Sequence, residues 1–355
     1  MIYDVAVIGL GPAGSAFTYL AGSKLKIVAI DPKREGETGF HKVCGGLLSP
    51  DAQKALARFG LTLPKRLLVD PQIFAVHTLD LPSGISRFYQ RFYINLDRHA
   101  FDMWLASLIG GRADRIYGRV RAIRREGEAF AVDYGEGVTY ARRIVGADGA
   151  NSIVRRTFFP QKRMRHYVAI QQWFQNQNVN PFYSCVFDPS TSEACSWSIC
   201  KDGYFIFGGA FAPRDCRKMF ETQKSALAAA GVAFGQPLKT EACMVLRPRG
   251  PQDFCCGEGA VFLLGEAAGF ISPSSFEGIS WALESARLLD NCLCGDGKNA
   301  QARYRRATRV LRARLLGKSL KCPFMYGPRL RRMVLKSGLK SIKVNRSEGK
   351  ACPMP

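Results

Sequence analysis

At 355 residues the chain is long enough to bury a large core and to form two or more domains. Its 47% hydrophobic and 23% charged content is that of an ordinary soluble protein, and no run approaches the 18 or so apolar residues of a membrane span. The net charge of +22 is concentrated in one place: Lys298 to Lys350 holds 17 Lys and Arg against the single acid Glu348, a net of +16, which leaves only +6 for the rest.

Twelve cysteines without a C-x-x-C pair or a Cys/His cluster of zinc-site spacing argue against a metal site and a disulfide scaffold. Cys255-Cys256 and Cys292-x-Cys294 read as buried reduced thiols. The first residues lack a basic lead before their apolar stretch, so a cytoplasmic protein without a signal peptide is expected.

Tyr3 to Ile8 is a β-branched run of strand length that ends in Gly9-Leu10-Gly11-Pro12-Ala13-Gly14. A helix-length segment to about Ser23 follows, then a second apolar run, Leu25 to Ile30, closed by Asp31. This is a βαβ unit with a G-x-G-x-x-G turn, and each residue type has a mechanical role. Gly9 permits the tight turn, Gly11 lets a pyrophosphate approach the backbone, and Gly14 lets the helix pack on the strand. Pro12 suits the first helical position, so that with Ala13 the remaining N–H groups and the positive helix end face the phosphates. Asp31, 17 residues after Gly14, can accept from a ribose. The unit alone does not distinguish NAD from FAD. Lys33 lies beside Asp31, where it would suit NADPH or, if FAD occupies the site, face the adenosine end of that cofactor.

A polar segment, Pro32 to Lys42, leads to Cys44-Gly45-Gly46, a loop whose exposed backbone suits a flat ligand. Asp51 to Phe59 reads as a helix ended by Gly60. Alternation from Ile73 to Tyr93 predicts antiparallel strands, and Asp97 opens a helix that runs to about Leu108. Strands are expected at 119–123, 130–134 and 139–145, the last ending in Gly146-Ala147-Asp148-Gly149, at the strand edge where open α/β sheets bind ligands. Between Tyr167 and Cys255 strand-like runs dominate, with one helix near 216–230. Of the many aromatic residues there, Trp173, Trp197 and Phe207 are taken as candidates for an apolar pocket. Ala260 to Leu264 is a buried strand followed by Gly265-Glu266-Ala267-Ala268-Gly269, and Ser274-x-x-Glu277 predicts a helix start at Ser274. Residues 301–316 and 329–343 alternate Arg and Lys with apolar residues at helical spacing.

Three turns in this order, G-x-G-x-x-G near residue 10, G-A-D-G near 148 and G-E-A-A-G near 266, resemble the flavoprotein superfamily of aromatic hydroxylases and geranylgeranyl reductases. Cys44-Gly45-Gly46 and the lack of a halogenase-type W-x-W-x-I-P place the resemblance nearest the geranylgeranyl reductase branch, over about residues 1–295. It implies an α/β fold: a Rossmann-like FAD-binding domain of the glutathione reductase and p-hydroxybenzoate hydroxylase type (1–68, 95–160, 258–297), an antiparallel sheet as substrate domain (69–94, 161–257) and a basic helical C-terminus (298–355).

It further implies FAD as cofactor, with NAD(P)H or another reductant as electron donor. Gly9, Gly11 and Gly14 would hold the pyrophosphate and Asp31 the adenosine ribose. Arg98, in the family's D-R-x-x-F-D, would reach the phosphate or ribityl region, and Val120 would offer its backbone to adenine. Asp148 and Gly149 would form the ribose-side turn. Gly265, Glu266 and Gly269 would face the ribityl and pyrophosphate region, and Gly278 and Ile279 would set N–H groups at the flavin pyrimidine. Cys44 and Gly45 would lie beside the flavin, with Cys44 as candidate proton donor. The family usually has Asp at Glu266 and Gly at Phe276, and of a Y-x-W-x-F-P element only Trp197 remains.

The implied reaction is reduction of C=C bonds in a polyprenyl lipid. Oxygen insertion into an aromatic or apolar small molecule and a regulatory flavoprotein are the alternatives. For residues 298–350 the readings are a solvated helical face, an anionic membrane surface at the inner face of the membrane and, least favoured, nucleic acid.

Overall fold

The computed structural model describes residues 1–34, 42–178, 182–294 and 299–344. Part of the polar segment (35–41), the junction 295–298 and the end of the basic tail (345–355) lie outside the described residues. Val5–Ile8 forms β1, buried at every position as befits a central parallel strand. Pro12–Ala21 forms α1, and Ile27–Ile30 forms β2, parallel to β1 with Val5 opposite Ile27. The next helix, α2 (Pro50–Arg58), is started by Ser49, whose hydroxyl accepts from the Ala52 N–H.

Ala75–Asp80 (β3) and Ile85–Gln90 (β4) make an antiparallel hairpin. Asp97 caps α3 (Arg98–Ser107) through the Ala100 N–H. Asp114–Ile116 (β5) then returns to the parallel sheet beside β2. Ala122–Glu126 (β6), Ala129–Asp133 (β7) and Val138–Ala141 (β8) form a small antiparallel layer, and Ile144–Gly146 (β9) flanks β1 on its other side before α4 (Ile153–Phe158).

The second sheet collects β10 (His166–Gln175), β11 (Tyr183–Phe187), β12 (Cys195–Lys201) and β13 (Tyr204–Phe211), then α5 (Cys216–Ala229) and β14 (Lys239–Leu246). Its order is β14, β10, β13, β12, β11, β3, β4. The expected antiparallel pairing holds except between β3 and β11, which run parallel. The chain leaves the hairpin, builds much of the first domain and re-enters the sheet from the same end, the long crossover that a parallel pair requires.

Strand parity divides this sheet into two faces. Phe205, Phe207 and Phe211 point to the α5 side, where Phe207 is fully buried with its ring 5.3 Å from that of Phe220. Phe207 therefore belongs to the core under α5 and not to a substrate pocket, because its neighbours Gly208 and Ala210 take the opposite face. On that opposite face Tyr167, Ala169, Trp197 and Ala210 meet the first domain.

Val261–Leu263 (β15) extends the parallel sheet beside β9. The following helix, α6 (Ile279–Leu293), starts at Gly278 instead of Ser274. Phe276 takes a left-handed φ of +54°, which no helix turn can contain. Glu277 does the capping, accepting from the Ser280 N–H at 2.8 Å and from its hydroxyl at 2.6 Å. Next, α7 (Ala300–Ser319) packs on α6, with Tyr304 fully buried and its hydroxyl donating to the Leu263 carbonyl at 3.0 Å.

The chain then crosses to the second sheet through α8 (Cys322–Tyr326) and α9 (Pro328–Ser337). Arg331 Nε donates to Asp80 Oδ1 at 2.7 Å, Arg332 reaches Asp80 Oδ2 at 3.3 Å, and the Ile342 N–H donates to Phe88. The described part of the basic tail is thus a strap across both domains. Burial pushes the Asp80 carboxyl up, but Ser83 and the two guanidinium groups outweigh it and hold it below its ordinary 3.8. A carboxylate depressed on folding contributes stability above its unfolded pKa and loses it as pH falls through the folded one. Proteolysis within 322–344 is accordingly expected to accelerate below about pH 4 and to be flat between pH 5 and 8; acceleration that begins above pH 5 would assign the latch to another group.

Candidate functional site

The three glycine turns, far apart in sequence, meet at the edge of the parallel sheet. Gly9 has φ +93°, and a Cβ on it would lie 2.8 Å from the Ala147 carbonyl oxygen, so the first turn rests directly on the second. A Cβ on Gly14 would lie 1.9 Å from the Gly9 oxygen, which leaves glycine as the residue that lets α1 approach β1. A Cβ on Gly265 would lie 3.0 Å from the Ala13 side chain, which brings in the third turn. Arg155 ties the second and third turns, donating to the Ala267 carbonyl at 2.7 Å and to that of Ala150.

Above Gly11 the space is open: a Cβ there would meet nothing within 4 Å. Pro12 occupies the first turn of α1, and no described side chain caps the helix. Its first N–H groups and positive end therefore face an open cradle of the shape a pyrophosphate fits. Gly149, at φ +74°, is equally unobstructed. These residues fit the pyrophosphate region of a dinucleotide.

The acids of the site are partly engaged within the protein. Asp31 accepts from the Leu10 N–H at 2.7 Å and the Lys33 N–H at 2.8 Å, stitching β2 to the first turn, so a sugar hydroxyl would share those oxygens. Asp148 accepts from the Ser152 hydroxyl and the Ile153 N–H, both at 2.6 Å, and so holds its own turn and the start of α4. Burial raises its carboxyl despite those bonds. Glu266 accepts from Lys42 Nζ at 2.8 Å and the Leu246 N–H at 2.9 Å, joining the third turn to β14. Gly269, at φ +81°, closes that turn against the Asp253 carbonyl. Val120 is buried between β5 and β6, while Gly278 and Ile279 form the N-terminus of α6 beside Ile271.

The Cys44 loop lies between this edge and the second sheet. A Cβ on Gly45 would stand 3.3 Å from the Tyr183 ring and 3.7 Å from that of Trp197, so the loop backbone lies against aromatic faces. Cys44 Sγ accepts from the Gly46 N–H at 3.4 Å. Arg98 is braced by Asp102 at 2.9 Å; burial pushes its guanidinium down, and Asp102 and the nearby Cys44 more than offset that. Beneath the loop, Lys201 Nζ donates to Asn95 Oδ1 at 2.5 Å and to the Leu96 carbonyl at 2.7 Å, and burial draws its ammonium down to about 8.

The seam between the domains is apolar, with Val43, Ala150 and Ile271 facing Tyr167, Ala169 and Ala210. Trp197 lines it, its indole donating to Gln171 at 3.2 Å. Trp173 shares the sheet face but sits farther along, among Ile199 and Ile206, bonded to Glu241 at 2.9 Å. Phe276 closes one end against Tyr167 and Arg247. Its left-handed backbone costs a bulky residue about 1–3 kcal/mol. A separate groove of about 650 Å³ lies between α2, α6 and α7, lined by Arg58, Trp281, Glu284 and Arg287, and holds none of the expected site residues.

Sequence reasoning overlooked Lys42, Lys201, Arg247 and Tyr326. Tyr326, from the strap, donates to the Ser274 carbonyl at 2.6 Å and stacks on the Arg247 guanidinium at 4.4 Å. No local pattern marks these residues, since each meets its partner only through tertiary packing.

Comparison with known proteins follows the same lines. No protein-family model matches the chain. It is 48% identical over 346 residues to the protein CbrA of Escherichia coli O6:H1 (strain CFT073), covering 96% of this chain and 94% of that protein. Among solved structures, a geranylgeranyl bacteriochlorophyll reductase-like protein from Thermoplasma acidophilum superposes with a TM-score of 0.74 at 17% identity, covering 96% of this chain and 90% of the other. PqsL from Pseudomonas aeruginosa, a probable FAD-dependent monooxygenase, does so with a TM-score of 0.67 at 17% identity, covering 95% and 100%. At these identities the likeness establishes a shared fold alone.

Proposed function

The chain belongs to the CbrA family, and from that premise we propose that it is an FAD-dependent oxidoreductase that reduces C=C bonds of an apolar, polyprenyl-type lipid. The observation that carries this reading is the convergence of three glycine turns around the open cradle at Gly11, with a Cys-Gly-Gly loop between that cradle and an apolar seam. The T. acidophilum neighbour's description as geranylgeranyl bacteriochlorophyll reductase-like supports the substrate class.

Bound and reduced, FAD would supply a hydride equivalent, drawn in turn from NAD(P)H or another reductant. The chain's own residues do the rest. Gly9 to Gly14 bind the pyrophosphate through N–H groups at the start of α1, and Asp31 and Lys33 lie at the adenosine end. Gly278 and Ile279 present the positive end of α6 to the far end of the cofactor. Trp197 and Tyr183 orient an apolar chain and exclude water from the seam, and Cys44 Sγ gives a proton to the second carbon of the double bond.

The test is anaerobic incubation of the reduced protein with geranylgeranyl and longer prenyl phosphates, followed by mass spectrometry. A gain of two mass units per reduced bond is expected; no gain across the panel removes the isoprenoid reading. Cys44→Ala is expected to lower that rate about 100-fold with flavin content unchanged. An unchanged rate would make solvent the proton source and Cys44 a packing residue. NAD(P)H oxidation stimulated by an aromatic compound, without double-bond reduction, would decide for oxygen insertion.

A further inference from the structure

The basic tail divides into two helices of opposite character. Buried Tyr304, Leu311 and Leu315 hold α7 against the first domain. By contrast α9 turns only Arg331 and Leu335 inward, four residues apart on one face, and so presents Leu330, Met333 and Val334 outward. Met333 is 66% exposed, and Leu339 and Phe324, at either end of the helix, are 67% and 53% exposed. A helix whose outer face is apolar is one that packs against something.

Charge identifies what. Arg329, Lys336 and Lys340 flank that stripe, exposed and without a carboxylate partner among the described residues. From Asn299 to Val344 the sequence contains no Asp or Glu at all. A solvated helix normally carries both signs, and a second copy docked face to face would bring like charges together. Single-stranded nucleic acid asks for a series of aromatic platforms on which bases stack, whereas the exposed stripe of α9 is aliphatic, with Phe324 of α8 as the one exposed aromatic ring beside it among the described residues. An apolar stripe in a cationic frame matches the boundary between acyl chains and anionic headgroups. No described helix is long and apolar enough to cross a membrane, so contact there would be peripheral.

We infer that α8 and α9 form a docking face for an anionic phospholipid surface, with α9 lying in the interface plane. The strap also supplies Tyr326 to the end of the apolar seam, which places this face beside the site. The inference does not depend on the cofactor or the reaction, because its test contains no turnover.

The full-length protein is floated with vesicles of phosphatidylcholine alone or of phosphatidylcholine mixed with phosphatidylglycerol. Partition into the mixed vesicles is expected to exceed that into neutral ones at least about tenfold and to fall with salt. Arg329→Gln, Lys336→Gln and Lys340→Gln should each weaken it about fivefold. Met333→Ser with Leu339→Ser should weaken it about tenfold or more with the melting curve unchanged, since both positions are exposed. Binding to neither vesicle, equal binding to both, or indifference to Met333 and Leu339 would overturn the proposal. So would single-stranded RNA bound more tightly than the mixed vesicles, or a dimer dissolved by Met333→Ser, since either would give the face another partner.

Discussion

Replacing Gly11 with valine is expected to leave the protein folded and to strip it of flavin. The backbone there is extended, φ −73° and ψ −172°, which valine adopts readily, and a Cβ would enter empty space. Stability should fall by at most about 1 kcal/mol, the scale of a poorer N-cap residue. The added methyl groups would occupy the place where a pyrophosphate must approach the α1 N–H groups. Loss of those charge-assisted bonds, about 1.5–3 kcal/mol each, translates into FAD affinity weaker by a hundredfold or more. Absorbance of the purified protein near the flavin bands, read beside its melting curve, checks both halves. Full flavin occupancy in Gly11→Val would refute the cofactor placement. Gly14→Ala offers no such separation, because its Cβ would collide with the Gly9 carbonyl and damage the fold itself.

The second large effect is expected from Arg331→Met. Asp80 is fully buried, and the substitution removes its principal countercharge and two of its hydrogen bonds. Breaking a buried pair from one side typically costs about 3–5 kcal/mol, and Ser83 and Arg332 remain to keep the loss near the lower figure. For a chain of this size that corresponds to a fall in Tm of about 4–5 °C, preceded by proteolytic cleavage within the strap. Combining it with Asp80→Asn should recover much of the loss, since the uncompensated charge is then gone. A Tm that does not move in Arg331→Met would show that the strap is dispensable to the fold.

What the sequence made legible, and what it did not, follows from the range of the forces involved. The βαβ unit could be read because Gly9, Gly11 and Gly14 answer to local backbone geometry, and small residues at fixed offsets carry that signal by themselves. The strands of the second sheet were visible through alternation, yet the face of each aromatic was not. Aromatic density says that a core exists, and only parity relative to Trp197 and Gly208 sends Phe207 to the α5 side. The start of α6 was displaced because Ser274 and Glu277 mimic a capping box while Phe276, a residue with no evident tolerance for positive φ, breaks the turn between them. Lys42 with Glu266, and Asp80 with Arg331, are pairs separated by 224 and 251 positions, for which no window of sequence contains both partners.

That last separation bears on how the molecule comes into being. The β3–β4 hairpin leaves the ribosome early, but the guanidinium that neutralises Asp80 is translated 251 residues later. β1 likewise waits for β9, and β9 for β15, before its sheet is complete. Until then the Asp80 carboxylate has water as its alternative partner, and the edge of the second sheet stays open to solvent. Neutralisation of Asp80 and cover of the β4 edge are therefore completed only once α9 and the segment after it have been made. Refolding experiments should find hydrogen exchange at β3 and β4 slowed only in the final kinetic phase, together with protection of the strap.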